Sequence, residues 1–361
     1  MKVLVSVVHS TYQRDMLDGL KDKHEFILFG GAKSRQVFKE FEYHPIEFLE
    51  SMSPLAEASI GRLLLRKRRD VDLYHFATPR EALPHYLLNK ITKLPPFAYT
   101  LHWPPYVTTG MSEEYFIKGA YRKKHRAIVK LIEAAAERVF VCDFWRKKVA
   151  EDFGLSGVTI DHGIDSQKFS KVADAKKKLG VEGKIVVSTM ANDFDRAPLG
   201  SGFFFELSRK LKKEFVEKII VNIYGRSPNL VVPKDLSWVN LQSLPRDEIP
   251  LRLSATDVIV FTSLFNNMPL SILESMACET PAAAFGVGGI PEAVEDGVNG
   301  AVVRGFDIDE LYKKVADILA DEKKRAAYGR KARERVKEKY NLRQFWDKHD
   351  KLYERVAGAS F

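Results

Sequence analysis

Cysteine is nearly absent from this chain. Cys142 and Cys278 are the only two among 361 residues, and both sit far apart in apolar contexts. A disulfide framework is therefore excluded as the source of stability, and a reducing compartment, the cytoplasm, is the expectation. No Cys/His cluster has zinc-site spacing, and no metal is expected. No apolar run approaches the ~20 residues that a membrane span needs. The opening Met1-Lys-Val-Leu-Val-Ser-Val-Val-His-Ser is too short an apolar run for a signal peptide and reads as a first core strand. Internal repeats and low-complexity segments are missing too. What is present is 45% hydrophobic and 29% charged residues, the balance of a soluble protein with a sizeable core. At this length two domains are expected.

The net charge of +9 is unevenly placed. Residues 1–180 hold 30 Lys/Arg against 22 Asp/Glu, and residues 181–361 hold 27 against 26. A basic first half suggests an anionic partner: a membrane surface, a phosphorylated acceptor or a nucleic acid. No recognition motif supports a nucleic acid, so none is expected.

The rest is organised around residues 257–292. Val258 to Phe261 form a short buried-strand pattern, Asn266-Asn267 breaks it, and Pro269 opens a helix in its first turn. Leu270, Leu273, Met276 and Ala277 recur at helical spacing until Thr280-Pro281 stops them. A second strand over 282–285 runs into Gly286, Gly288 and Gly289. Such a strand–helix–strand unit has parallel strands and aims its helix start at the crevice beyond the strand ends. Backbone N–H groups at Leu270 and Ser271 make that tip an anion site. Glu274 lies one turn deeper on the same face, within reach of a diol on the same ligand. The alternative is that Glu274 only complements the helix dipole.

Asn266 to Glu274, then Ser275-Met-Ala-Cys-Glu-Thr-Pro, Gly288-Gly-Ile-Pro-Glu and Asp296-Gly-Val-Asn-Gly, resemble the signature of retaining GT-B glycosyltransferases of group one, family four. The resemblance implies an α/β fold of two Rossmann-like doubly wound domains facing a cleft, with a C-terminal helix crossing back to the first. The expected domains are 1–169 plus 342–361 on the acceptor side, and 180–341 for the nucleotide-sugar. Glu274 would hold the ribose hydroxyls, and Asn267, Met268, Pro269, Leu270 and Ser271 would frame the phosphates. Two positions depart from the family pattern. Asn266 stands where the family has its first Glu, near the donor sugar, and Leu199 stands where it has a Lys. Arg196 and Arg226 are the candidates left to neutralise the diphosphate. His102, at the end of a strand over 97–102, resembles the family's cleft-facing His and is, with Asn266, the catalytic candidate; the plain alternative is a core histidine. His9, Trp103 and Tyr106 are acceptor-side candidates, with proline-rich packing as the other reading of the two aromatics. Asp143 is expected to cap a helix over 144–152.

A helix over 55–69 carries Ile60, Leu63 and Leu64 on one face and Arg62, Arg66, Lys67, Arg68 and Arg69 behind. It is either a solvated helix end or a basic amphipathic contact with the inner face of an anionic membrane. The activity implied is retaining transfer of a sugar from a UDP- or GDP-sugar to a glycan, lipid-linked or polysaccharide acceptor, in cell-envelope or exopolysaccharide synthesis. No cofactor is needed, since the nucleotide-sugar is the substrate. Asn266 and Leu199 leave a second class open: a catalytically silent homologue serving as a partner or regulatory subunit.

Overall fold

The computed structural model describes residues 1–7, 10–30, 32–46, 54–102, 128–191, 194, 199–225 and 229–358. The chain divides into two compact units. One holds the residues up to Gly163 together with the segment beginning at Leu342, and the other holds Ile164–Asn341.

In the first unit the strands are β1 Lys2–Val7, β2 Glu25–Gly30, β3 Glu42–Pro45, β4 Leu73–Phe76, β5 Phe97–Leu101, β6 Glu137–Phe140 and β7 Val158–Thr159. They lie in the order β3-β2-β1-β4-β5-β6-β7, and each pairing is parallel. In the second unit β8 Ile185–Met190, β9 Ile219–Tyr224, β10 Asn240–Gln242, β11 Val258–Phe261, β12 Ala282–Phe285 and β13 Gly300–Val303 take the order β10-β9-β8-β11-β12-β13, again parallel. Continuous apolar runs explain the choice. All four residues of β11 and all four of β12 are buried, as strands covered by helices on both faces must be. Each sheet reverses its winding once, at β1/β4 and at β8/β11. This is the Rossmann-type pair of sheets implied by the GT-B resemblance.

The C-terminal helix Leu342–Gly358 belongs to the first unit. Phe345, Leu352, Tyr353 and Val356 enter its core beside Val3, Val5, Met16 and Leu17. The Trp346 indole N–H donates to the Asp15 carbonyl at 2.8 Å, and Lys348 reaches Asp161 at 2.8 Å.

Several local expectations are corrected. Cys142, not Asp143, is the N-cap of Asp143–Phe153; the Asp143 carboxylate accepts from Arg146 Nε at 2.8 Å and Thr159 Oγ1 at 2.5 Å. Pro269 is the N-cap of Leu270–Ala277, at φ −66° and ψ 122°, rather than its first helical residue. Strand β3 and helix Pro79–Leu88 were not expected. The helix begins with Ala77 and Thr78 N–H donating to Glu81 Oε2 at 3.3 and 3.1 Å, half of the reciprocal box that T-x-x-E encodes, and it contains Pro84.

Candidate functional site

The carboxyl ends of β8 and β11 mark the reversal point of the second sheet, where open parallel sheets bind ligands. Two helices begin there, Ser201–Phe215 after β8 and Leu270–Ala277 after β11. Their loops are tied together through main chain. Gly200, at φ +66°, approaches so closely that a β-carbon would overlap the Thr262 carbonyl oxygen. Thr262 Oγ1 in turn donates to the Gly200 carbonyl at 2.9 Å. Gly288, at φ +54°, similarly leaves no room between itself and the Asn266 carbonyl, and Gly289 N–H donates to the Asn267 carbonyl at 2.7 Å. Only glycine meets both demands, positive φ and backbone contact. The second clasp fixes the approach to Leu270, so the helix start is set by backbone rather than by side-chain packing.

Leu270 and Ser271 occupy the first turn, whose N–H groups helix geometry leaves without intrahelical acceptors. The hydroxyl of Ser271 donates to the Met190 carbonyl, at the end of β8, at 3.4 Å. Asn267 and Met268 are buried and contribute shape and main chain. Glu274 is 4% exposed. Its Oε1 meets Arg246 Nη1 at 3.2 Å, and the Arg246 guanidinium lies 5.3 Å from the centroid of Phe169. Arg246 is far more open than its partner, with 41% of its side chain exposed. The carboxylate thus sits one turn inside the helix tip with a solvent-facing cation as its partner. Asn266 Oδ1 accepts from the Asn267 N–H at 2.9 Å, and its amide reaches Ser263 Oγ at 3.5 Å. Leu199 packs against the second unit's core.

In the first unit, His102 is buried just past the end of β5. Its ring lies near-parallel to that of His162, with 12° between planes and 6.3 Å between centroids. Behind it Thr100 Oγ1 bonds His75 Nε2 at 2.7 Å, and His75 Nδ1 meets the Tyr353 hydroxyl at 2.9 Å. Burial holds the His75 imidazole down to about 3, with His349 nearby adding to the effect.

Residues 209–335 match the family model described as glycosyl transferases group 1. The second unit carries a group 1 glycosyl transferase domain. The chain is 28% identical over 212 residues to a GDP-mannose-dependent alpha-(1-6)-phosphatidylinositol monomannoside mannosyltransferase of Mycolicibacterium smegmatis, covering 53% of this chain and 54% of that one. It thus spans about half the length of that relative. It is 23% identical over 350 residues to an uncharacterized glycosyltransferase of Methanocaldococcus jannaschii, covering 92% and 93% of the two chains. In fold it is similar to a sucrose-phosphate synthase from Thermosynechococcus elongatus, with TM-score 0.84, 17% identity and 100% coverage of both chains. It is also similar to Anabaena HepE in complex with UDP-glucose, with TM-score 0.79, 17% identity and 98% and 99% coverage.

Within this glycosyl transferase domain the structure brings together Asn266, Asn267, Met268, Pro269, Leu270, Ser271 and Glu274. Arg196 and Arg226 lie outside the described residues, as do His9, Trp103 and Tyr106. Among the described residues no group of three or more His, Cys, Asp or Glu could hold a metal ion. Sequence reading missed Arg246 as the partner of Glu274. The two are 28 positions apart, and an Arg after Pro245 carries no local signal of where it points. His162 was missed for the same reason.

Proposed function

We propose that the protein is a retaining glycosyltransferase that takes a sugar from a UDP- or GDP-sugar to a glycan or lipid-linked acceptor. The observation that carries this reading is the Glu274 carboxylate one turn inside the helix tip at the β8/β11 reversal, paired with the partly exposed Arg246. A nucleoside diphosphate offers the two groups such a place attracts: phosphates for the N–H groups of Leu270 and Ser271, and a ribose diol to donate to Glu274. One relative is GDP-mannose-dependent and one protein of similar fold is seen with UDP-glucose, which supports keeping both bases.

In the reaction the bond from the sugar's anomeric carbon to the diphosphate oxygen breaks, and a bond to the acceptor oxygen forms on the same face. The acceptor proton leaves with the departing phosphate, so no protein nucleophile is required. The helix tip, with Arg196 or Arg226, meets the leaving charge in place of a metal. Each donor aimed at developing negative charge supplies roughly 3 kcal/mol of transition-state stabilisation, which is what Leu199 in place of a cation forgoes. His102 and Asn266 are the catalytic candidates, and His9, Trp103 and Tyr106 the acceptor-side ones.

A thermal-shift screen against nucleotides and UDP- and GDP-sugars tests this. A ligand present at a hundred times its Kd stabilises by roughly 2.7 kcal/mol, so one base should raise the Tm by several degrees. No response to any of them would sink the reading. The second class, a silent homologue, is favoured by one observation: the Asn266 amide is bonded within its own loop. It requires that Glu274→Ala leave biological activity intact.

A further inference from the structure

Helix Leu270–Ala277 has eight residues, about two turns, and Glu274 stands in the second. A helix this short frays at its ends unless tertiary contacts hold them. The place of the Glu274 carboxylate therefore depends on what secures the tail. The N–H groups that follow secure part of it. Cys278 N–H donates to the Glu274 and Ser275 carbonyls at 3.2 and 3.0 Å, and Glu279 N–H donates to the Met276 carbonyl at 3.1 Å. The Ala277 carbonyl is met from outside the helix, by the Arg333 guanidinium. A cation at that end also offsets the negative pole of the helix dipole.

Arg333 is half-buried on helix Glu322–Lys339. Its Nη1 also donates to the Phe169 carbonyl at 3.2 Å, and its Nη2 donates to the Ser166 carbonyl at 3.1 Å. One guanidinium thus ties the tail of the Glu274 helix to the stretch 166–169. A planar fork with fixed donor directions suits this, and an ammonium on a flexible stem does not reproduce it. The ring of the same Phe169 lies 5.3 Å from the Arg246 guanidinium, and Arg246 pairs with Glu274. Arg333 therefore reaches Glu274 by two routes, along the helix and through Phe169 and Arg246. Neighbouring contacts tighten the same junction. At Gly329, one turn earlier than Arg333, a β-carbon would overlap the Glu279 carbonyl oxygen. Glu279 holds φ +60°, in the region that favours glycine, and its carboxylate meets Lys171 at 3.2 Å. Val172 N–H donates to Ser254 Oγ at 2.9 Å. Backbone strain is thus accepted where the helix ends and the 166–172 stretch is tied to it.

We propose that Arg333 is a positioning residue for the nucleotide site. It acts through Glu274 rather than on the nucleotide: by holding the Ala277 and Phe169 carbonyls it fixes where the Glu274 carboxylate is presented. The inference rests on the reading of Glu274 as the acceptor for a nucleotide's ribose diol.

Calorimetric titration of the full chain with UDP and with GDP tests it, using wild type, Arg333→Met, Glu274→Gln and the double variant, each well below its own melting temperature. Arg333→Met should weaken binding of the preferred nucleotide by about tenfold. In the Glu274→Gln background the same change should weaken it by less than about threefold, because its effect passes through the carboxylate that is already gone. A residue that only stabilised the fold would lower the melting temperature and leave the affinity of the folded protein alone. Amide exchange in Arg333→Met should quicken in peptides covering 270–280. Arg333→Lys keeps the charge and should recover part of the affinity; it serves as the test should the methionine variant fail to fold, with a loss of about threefold expected against wild type. Arg330→Met, at an exposed residue one turn away on the same helix, should change nothing. Wild-type affinity in both Arg333 variants, or an equal loss with and without the Glu274 carboxylate, overturns the proposal and leaves the nucleotide site standing. If wild type binds neither UDP nor GDP, the nucleotide-site reading falls, and this proposal falls with it.

Discussion

Both units present the carboxyl ends of a parallel sheet, and the two ends are held by different means. In the second unit the loops after β8, β11 and β12 are locked by main chain on main chain, at Gly200 against Thr262 and at Gly288 against Asn266. In the first unit the corresponding region is held by buried imidazoles and a tyrosine: His75 between Thr100 and Tyr353, His349 below them on the C-terminal helix, and His102 beside His162. A backbone clasp is insensitive to pH and leaves side chains free to face a ligand. An imidazole clasp titrates. The second unit is therefore rigid at the proposed phosphate site, and the first is conditional on His75 and His349 staying neutral.

The largest expected effect breaks the backbone clasp. Gly288→Val imposes both a strained φ and an overlap with the Asn266 carbonyl, a cost of about 4 kcal/mol or more. Hydrogen exchange should quicken in peptides of the second unit and stay unchanged in those of the first. Unchanged exchange around 266–290 would mean the loops are not mutually held.

Acid should do the reverse. Burial holds His75 down to about 3 and His349 down to about 4, against an ordinary 6.5. Between these values the unfolded chain binds protons that the folded chain excludes. The contribution of neutral burial is therefore whole above pH 6.5 and is lost as pH falls toward 4. At about 1.4 kcal/mol per pH unit for each histidine, the loss reaches about 3–4 kcal/mol by pH 5. Denaturant titrations from pH 7 to pH 5 should show it, with His75→Asn and His349→Asn each flattening the dependence.

The contrast also explains what sequence alone could reveal. The expected strands 258–261 and 282–285 coincide with the observed elements residue for residue. Burial on both faces is a local signal, and a glycine that must touch backbone is visible as a glycine. Strand β3, Glu-Tyr-His-Pro at a sheet edge, has no apolar run to announce it. Helix Pro79–Leu88 was hidden by Pro84, which usually ends a helix, although Thr78-x-x-Glu81 marked its start. The contacts His75 to Tyr353 and Arg246 to Glu274 join distant segments, so no window of sequence contains them. For that reason the helix tip and Glu274 were readable, and the groups that hold Glu274 and His102 were not.

A smaller effect tests the ligand end of the second unit. Glu274→Gln keeps the shape and removes the charge, so a diol loses a charge-assisted acceptor worth about 1.5–3 kcal/mol. Nucleotide affinity should fall by roughly tenfold to a hundredfold by calorimetry, with the melting temperature of the free protein nearly unchanged. An unaltered affinity would return Glu274 to the role of dipole complement.

The smallest effect concerns Arg246, and its sign is informative. The pair with Glu274 is half exposed on the arginine side, so Arg246→Ala should cost the free protein only about 1 kcal/mol. The carboxylate is buried and has lost the Arg246 contact. An entering ribose diol then no longer competes with the Arg246 guanidinium, and nucleotide affinity should rise a few-fold. That outcome means the ion pair opens on binding and Arg246 guards the pocket in the free protein. A fall in affinity of similar size means instead that Arg246 stays on the ligand, moving from Glu274 to a phosphate while Phe169 keeps its guanidinium plane in place. Repeating the titration with nucleoside and with nucleoside diphosphate separates these outcomes, since only the second carries the phosphates that a relocated guanidinium would grip.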